Sequence, residues 1–422
     1  MRSLVEGARA VGHGFRSLSN RNYRLFWFGQ LVSLAGTWMQ DTALALLVLR
    51  LTNSPLALGL TMTIRFAPAL AFSLFGGVLA DRLPKRATLI GTQSVQLVVA
   101  LTLAALTSTG LITVAVIYAL AALRGTVDAV DMPTRQAFIV EMVGTEDLPN
   151  AVALNSMQFN VARIVGPAIA AIVIATLGMA TCFYLNAASF GAVIGAYCVM
   201  RGGQLFPSIR APREGMVRQV GQGLRYAMAT PEVLAVLMVM AAVGTFGYNF
   251  QTMLPLIATY VLHSGATGLS VLLASMGIGS VVAGLVVAYR GKATLRLLLV
   301  SATVFTALLF VVGLSHWQPV TAALVLLMGF CGVLFMTTAN TRLQMVVPGH
   351  MRGRVMGMYA MLFVGTTPIG SVLVGTLAER TGVPAMVMEM AGLCALGVLA
   401  ALWYARRRRS GSLGTSAAPA ED

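Results

Sequence analysis

Charge is what this chain lacks most. Charged residues make up 10% of its 422 positions, against about 25% in soluble proteins. Apolar residues make up 57%, and the mean hydropathy is +0.82. A soluble protein with an apolar core is excluded, because runs long enough to cross a bilayer recur along the whole chain. Cysteine is scarce as well. Cys182, Cys198, Cys331 and Cys394 all fall within apolar runs, without metal-ligand spacing, and read as small packing residues. His13, His263, His316 and His350 are scattered over a tail and loops, so no zinc site is expected. A membrane enzyme would need a nucleophile–base pair, a metal cluster or a nucleotide loop of the G-x-x-x-x-G-K-[ST] type, and none is visible. No cofactor is expected. A sensor or scaffold would carry a sizeable soluble domain, and no stretch of that kind is present.

Acids are fewer than bases, 14 against 29, which gives a net charge of +15. This excess does not point to nucleic acid. The bases are spread among short loops, with no aromatic–basic platform. Nor does the N-terminus read as a cleavable signal. Arg2, Arg9, Arg16 and Arg21 precede the first apolar run without a small-residue cleavage site.

Twelve spans are predicted, at 23–51, 56–80, 87–108, 112–135, 151–177, 181–200, 233–261, 266–289, 295–315, 320–341, 355–377 and 385–405. With both termini in the cytoplasm, all but five of the 29 basic residues fall on that side or at its edge. The exceptions are Arg50 and Arg380 outside, and Arg65, Arg124 and Arg163 within spans. This asymmetry predicts an all-α membrane protein. Its parts are a cytoplasmic tail (1–22), a six-helix bundle (23–200), a cytoplasmic loop (201–230), a second six-helix bundle (231–405) and a disordered tail (406–422). A short amphipathic helix is predicted near 217–229. A weak internal repeat supports the division, since Pro167 and Pro368 hold corresponding places in two spans.

Charges inside spans are costly and face a partner or water. They concentrate in the first half: Asp41, Arg65, Arg124, Asp128, Asp131 and Arg163. Counted along the helices, Asp41, Arg65 and Arg124 fall at a common depth. Arg124, Asp128 and Asp131, spaced i, i+4, i+7, share one helix face. Two readings stay open for Asp41, Arg65, Arg124 and Asp128. They line a cavity in which Asp41 or Asp128 exchanges a proton, or they are static ion pairs locking helices together. Asp131, beside Pro133, and Arg163 read as structural ties. The second half offers neutral groups as cavity lining, Tyr248, Asn249, Gln251 and Asn340, opposite Gln40 of the first span.

The stretch GGVLADRLPKR, Gly76 to Arg86, interrupts two apolar runs. It resembles the G-x-x-x-D-R-x-G-R-R loop of the major facilitator superfamily. Gly77, Asp81, Arg82, Lys85 and Arg86 match, and Pro84 stands in place of the usual glycine. The segment from Asp131 to Ala170 and the opening from Leu31 to Gly59 resemble one bacterial branch of that superfamily. That branch, the transmembrane secretion effectors, includes enterobactin and macrolide exporters. Gly166-Pro167 is similar to its fifth-helix antiporter motif, although the upstream glycines are replaced. The resemblance implies the major facilitator fold and a secondary transporter in the bacterial cytoplasmic (inner) membrane, functional as a monomer. It would export amphipathic small molecules of drug or siderophore type by proton antiport with alternating access. It implies a conformational role for the signature loop, with the small-molecule substrate, protons and the lipid bilayer as partners. The alternative is an importer, or a lipid or metabolite permease, of the same fold.

Overall fold

The computed structural model describes residues 15–206, 216–290 and 293–414, with the side chains of 69–70, 72–82, 216–220, 363–364, 405–406 and 408–414 and some single positions outside that description. Among the described residues the chain is helical throughout, without strands. In lipid this is required, because backbone polar groups must be satisfied within the segment itself. After a 3-10 turn, Arg16–Ser19, come α1 (Arg21–Thr52), α2 (Pro55–Arg82), α3 (Lys85–Ser108), α4 (Val114–Val143), α5 (Leu148–Leu177) and α6 (Met179–Val199), then a second 3-10 turn, Gly202–Gln204. There follow α7 (Met216–Ala229), α8 (Pro231–Ala242), α9 (Phe250–Leu256), α10 (Gly265–Arg290), α11 (Leu295–Leu314) and α12 (Gln318–Val346). The last three are α13 (Gly349–Val364), α14 (Thr367–Thr381) and α15 (Val383–Gly414).

Local chemistry sets the ends. The Asn20 side chain caps α1 by accepting from the backbone N–H groups of Asn22 and Tyr23. Thr113 and Thr294 cap α4 and α11 in the same way. Gly144, Gly178 and Gly382 close α4, α5 and α14 at positive φ, where a side chain would be strained.

Among the described residues, nine helical stretches are long and apolar enough to cross a membrane. The span at 231–261 is one of them, but it is not a continuous α-helix. Two π-helical turns, Val243–Gly247 and Ile257–Val261, flank α9. The span predicted at 355–377 breaks at Gly365 and Thr366 into α13 and α14. The fourth span, predicted to end at Arg135, runs on to Val143 as α4 and carries Pro133 inside it. Arg124, Asp128, Asp131, Arg135 and Glu141 make α4 more polar than those nine stretches. At the chain's end α15 continues to Gly414, through residues expected to be disordered, and 415–422 lie outside the described residues.

By packing, the described residues fall into two compact units. The first takes in Met1–Asn53, Ile64–Pro212 and Ser264–Ala274; the second takes in Ser54–Thr63, Arg213–His263 and Ser275–Asp422. Helix α2 therefore begins in the second unit and continues in the first. Within the first unit, Tyr23, Phe26, Leu89, Phe138, Met142, Leu154 and Tyr197 form one core cluster joining α1, α3, α4, α5 and α6. Tyr23 and Trp27 satisfy their polar ends on the carbonyls of Ala151 and Leu154.

Candidate functional site

The functional geometry starts from one close approach. Gly125 of α4 lies against the backbone of α2 so tightly that a Cβ there would overlap the carbonyl oxygen of Arg65. Pro68, one turn on and inside the continuous helix, has no N–H to give the Ile64 carbonyl. This seating brings the neighbouring Arg124 and Arg65 to a shared partner, Asp41 of α1. Arg124 NH1 donates to Asp41 Oδ1 at 2.6 Å. Arg65 NH1 lies 2.8 Å from Asp41 Oδ2 as an ion pair, without hydrogen-bond alignment. All three are buried, at 4–8% exposure. One carboxylate thus faces two guanidinium groups, and the Nε atoms of both arginines are buried without a hydrogen-bond partner. Removing Asp41 would leave two buried cations without a counter-charge, whereas removing either arginine leaves the carboxylate one cationic partner.

The other two acids of α4 face α3, and here the sequence reading missed the partners. Gln96 Nε2 donates to Asp128 Oδ1 at 2.8 Å. Gln93 Nε2 donates to Asp131 Oδ1 at 3.0 Å. The two glutamines are three residues apart, as are the two acids, so antiparallel helices pair them rung by rung. Asp131 also accepts from Thr92 Oγ1 at 2.7 Å and is bound by Arg135. Arg135 in turn donates to Gln30 Oε1, and Gln30 donates to the Tyr197 hydroxyl. Asp131 is therefore tied into a chain linking α3, α4, α1 and α6. Asp128 differs: among the described residues no cation lies within ion-pair distance of it.

Arg163 on α5 is buried, and among the described residues its hydrogen bond is from NH2 to Asn160 Oδ1, at 3.3 Å. No described carboxylate pairs with it. Three residues on, a Cβ at Gly166 would come within 2.6 Å of both the Ala35 carbonyl oxygen and Trp38 Cβ, so this glycine lets α5 close on α1. The Pro167 carbonyl accepts from Ser270 Oγ at 2.5 Å. Gln40, next to Asp41, is buried and accepts from Asn186 Nδ2 at 2.8 Å.

In the signature loop, α2 ends at Arg82 and α3 begins at Lys85, with Pro84 extended at the cap. Lys85 Nζ pairs with Glu141 Oε1 of α4 at 2.7 Å. Arg86 donates to the Tyr197 and Cys198 carbonyls, at 2.7 and 2.8 Å, and so closes the end of α6. The side chains of Gly77, Asp81 and Arg82 lie outside the described residues.

In the second unit, the two helix interruptions meet. Gly244 packs on the Leu362 carbonyl and the Thr366 hydroxyl, and Gly370 packs on the Thr245 carbonyl and the Asn249 side chain. Tyr248 sits at the first interruption, with its ring stacked on Phe305 at 6.3 Å and set edge-on to Phe250 at 4.9 Å. Asn249 donates to the Thr245 carbonyl, while its own Oδ1 and Gln251 Oε1 are buried without partners. Asn340 accepts from Gln344 Nε2. Among the described residues every buried charged side chain belongs to the first unit. No described group of three or more His, Cys, Asp or Glu residues is placed to hold a metal.

Comparison with known proteins follows the same lines. The family model described as transmembrane secretion effector matches residues 13–417. The multidrug efflux pump Tap of Mycolicibacterium fortuitum is 28% identical over 387 residues, covering 89% of this chain and 94% of that one. The enterobactin exporter EntS of Escherichia coli is 25% identical over 395 residues, covering 92% of each chain. The crystal structure of the nucleoside transporter NupG superposes with a TM-score of 0.70, covering 91% of this chain and 98% of that one; at 11% identity it attests the fold alone.

Proposed function

Since the chain belongs to the transmembrane secretion effectors of the major facilitator superfamily, a family of transporters and not of enzymes, we propose that it exports amphipathic small molecules in exchange for protons. Alternating access would carry the cargo past a mid-membrane site. Adding α2, α4 and the α13–α14 pair to the nine apolar stretches gives twelve spans, with both ends in the cytoplasm as the basic residues direct. The two six-helix bundles are 23–200 and 231–405, the membrane is the bacterial cytoplasmic one, and the working unit is the monomer. Drug-like and siderophore-like cargo fits the relatives named for multidrug efflux and enterobactin export.

The observation that carries the antiport reading is the difference between two acids. Neutralising Asp41 would break its ion pairs with Arg65 and Arg124 and leave two buried cations without a counter-charge. Neutralising Asp128 gives up no ion pair, and the neutral acid still accepts the Gln96 amide. Asp128 is therefore the residue that takes up and releases the proton. Asp41 orders the cluster beside it. Asp131 and Arg163 act as structural members, and Lys85 and Arg86 hold the signature loop on α4 and α6. Tyr248, Asn249, Gln251, Asn340 and Gln40 supply neutral polar and aromatic cavity surface. The test is cargo-driven proton movement in membrane vesicles. Export reads as proton loss from energised inverted vesicles, and it should vanish in Asp128→Asn.

A further inference from the structure

Within the second unit, α11 and α15 pack side by side and leave a groove along their outer seam. The Thr306 hydroxyl, 3.2 Å from the Cys394 thiol, and Gly313, which lets α11 close on Met388, set their antiparallel register. Outside this contact stand Ala307 of α11 and Gly392 and Ala395 of α15, residues too small to fill the seam. A groove of about 280 Å³ results, with Phe310 and Leu399 at its sides. Phe310, Leu399 and Gly392 are exposed.

The lining is apolar in effect. Its two hydroxyls are engaged on their own helix, Thr303 donating to the Leu299 carbonyl and Thr306 to the Ala302 carbonyl, each at 2.8 Å. A polar guest would lose its water without finding a partner, and a hydrocarbon chain would lose nothing. From Gly392 to Leu402 the groove runs about 15 Å at the rise of an α-helix. That is half of a hydrocarbon core about 30 Å thick, the reach of an acyl chain in one leaflet.

Both walls lead to arginine. On α11 the face of 310, 307 and 303 continues to Arg296, which is exposed. On α15 the register of 392, 395, 399 and 402 continues to 406 and 409, the ends of the run Arg406–Arg409. The Arg407 guanidinium lies over the ring of Trp403, 5.1 Å from its centroid. Trp403 is 61% exposed, as tryptophans at the membrane–water level are. No described carboxylate pairs with Arg296 or Arg407. Helix α11 carries no acid, and Glu389 of α15 sits towards the opposite end, where it accepts from Thr381.

We propose that this groove binds an anionic phospholipid, with one acyl chain between Ala307 and Gly392 and the phosphate at Arg296 and Arg407. Guanidinium groups bind phosphate oxygens through paired N–H donors. The arginine end is the one that the basic residues direct to the cytoplasm, where anionic lipids attract basic segments beside the membrane. A second copy of the chain, inserted in the same orientation, would set these arginines against their own kind. The site requires a chain embedded in a bilayer and is independent of proton exchange.

Native mass spectrometry of the purified full chain tests this, with phosphatidylglycerol and phosphatidylcholine of identical chains offered in equal amounts. The expected result is one phosphatidylglycerol retained per chain, at least fivefold in preference to phosphatidylcholine. Arg296→Gln combined with Arg407→Gln should bring the two lipids to equal occupancy. Gly392→Leu should lower phosphatidylglycerol occupancy at least fivefold, since a Cβ at Gly392 meets no atom within 4 Å and the longer side chain fills the groove. Ala307→Leu serves in its place if that variant does not fold. Excess glycerol phosphate should leave the bound lipid in place. Equal occupancy in wild type would mean a general lipid coat and overturn the proposal. So would a preference that survives either the arginine pair or Gly392→Leu, lipid displaced by glycerol phosphate alone, or lipid-free dimers in place of lipid-bound monomers.

Discussion

Gly125 rests on the carbonyl oxygen of Arg65, and that contact sets the distance between α4 and α2 at the buried charges. A larger residue would push Arg124 and Arg65 apart and loosen both ion pairs to Asp41. Gly125→Ala is expected to cost about 1–3 kcal/mol as overpacking and to abolish cargo-driven proton movement. Thermal unfolding and vesicle transport check the two parts; a fully active Gly125→Ala would refute the seating argument.

Asp128 and Asp131 sit one helical turn apart and should respond in opposite ways. Asp131→Asn weakens the tie to Arg135 and should cost about 1.5–3 kcal/mol, seen as a lower Tm, while the surviving protein still couples cargo to protons. Asp128→Asn breaks no ion pair and should leave the Tm unchanged while coupling disappears. The reverse pattern would exchange the roles of the two acids.

Arg86 closes the carbonyl end of α6, and Lys85 is paired with Glu141. Arg86→Ala should cost about 1 kcal/mol for each hydrogen bond lost. Lys85→Met and Glu141→Gln remove one interaction between them, so in a double-mutant cycle their effects should be less than additive. Strict additivity would mean that the pair contributes nothing to the loop.

Topology has its own test. Cysteines at 50 and 380 should react with an impermeant maleimide on intact cells, and cysteines at 86 and 354 only after permeabilisation. Cys198, which is exposed, is first replaced by alanine. Labelling of position 86 from outside would invert the orientation.

Much of the site was legible because charge in an apolar run is conspicuous. Asp41, Arg65 and Arg124 stand out, and helix rise alone put them at one depth. The spacing of Arg124, Asp128 and Asp131 gave their common face. What escaped was neutral. Gln93 and Gln96 read as ordinary polar residues in α3, although their three-residue spacing repeats that of Asp128 and Asp131. Arg135 read as a marker of the cytoplasmic edge, at the end of the fourth predicted span. A membrane helix tolerates a proline such as Pro133 when neighbours satisfy the freed backbone, and α4 continues past it, which puts Arg135 one turn from Asp131. The interruptions at 243–249 and 365–366 were hidden for a different reason. Periodicity carries no signal in a segment that is apolar all round, and only Gly244, Gly247 and Gly365 hinted at them.

The central claim is that Asp128 carries the proton while Asp41 orders the arginines. It is tested most directly by the pH gradient of energised inverted vesicles on addition of lipophilic drugs and siderophores, with wild type beside Asp128→Asn and Asp41→Asn. The account expects a cargo-dependent collapse of the gradient in wild type and none in Asp128→Asn, with labelled cargo still bound by that variant. An undiminished collapse in Asp128→Asn, or labelled cargo crossing in wild type without any proton movement, would contradict it.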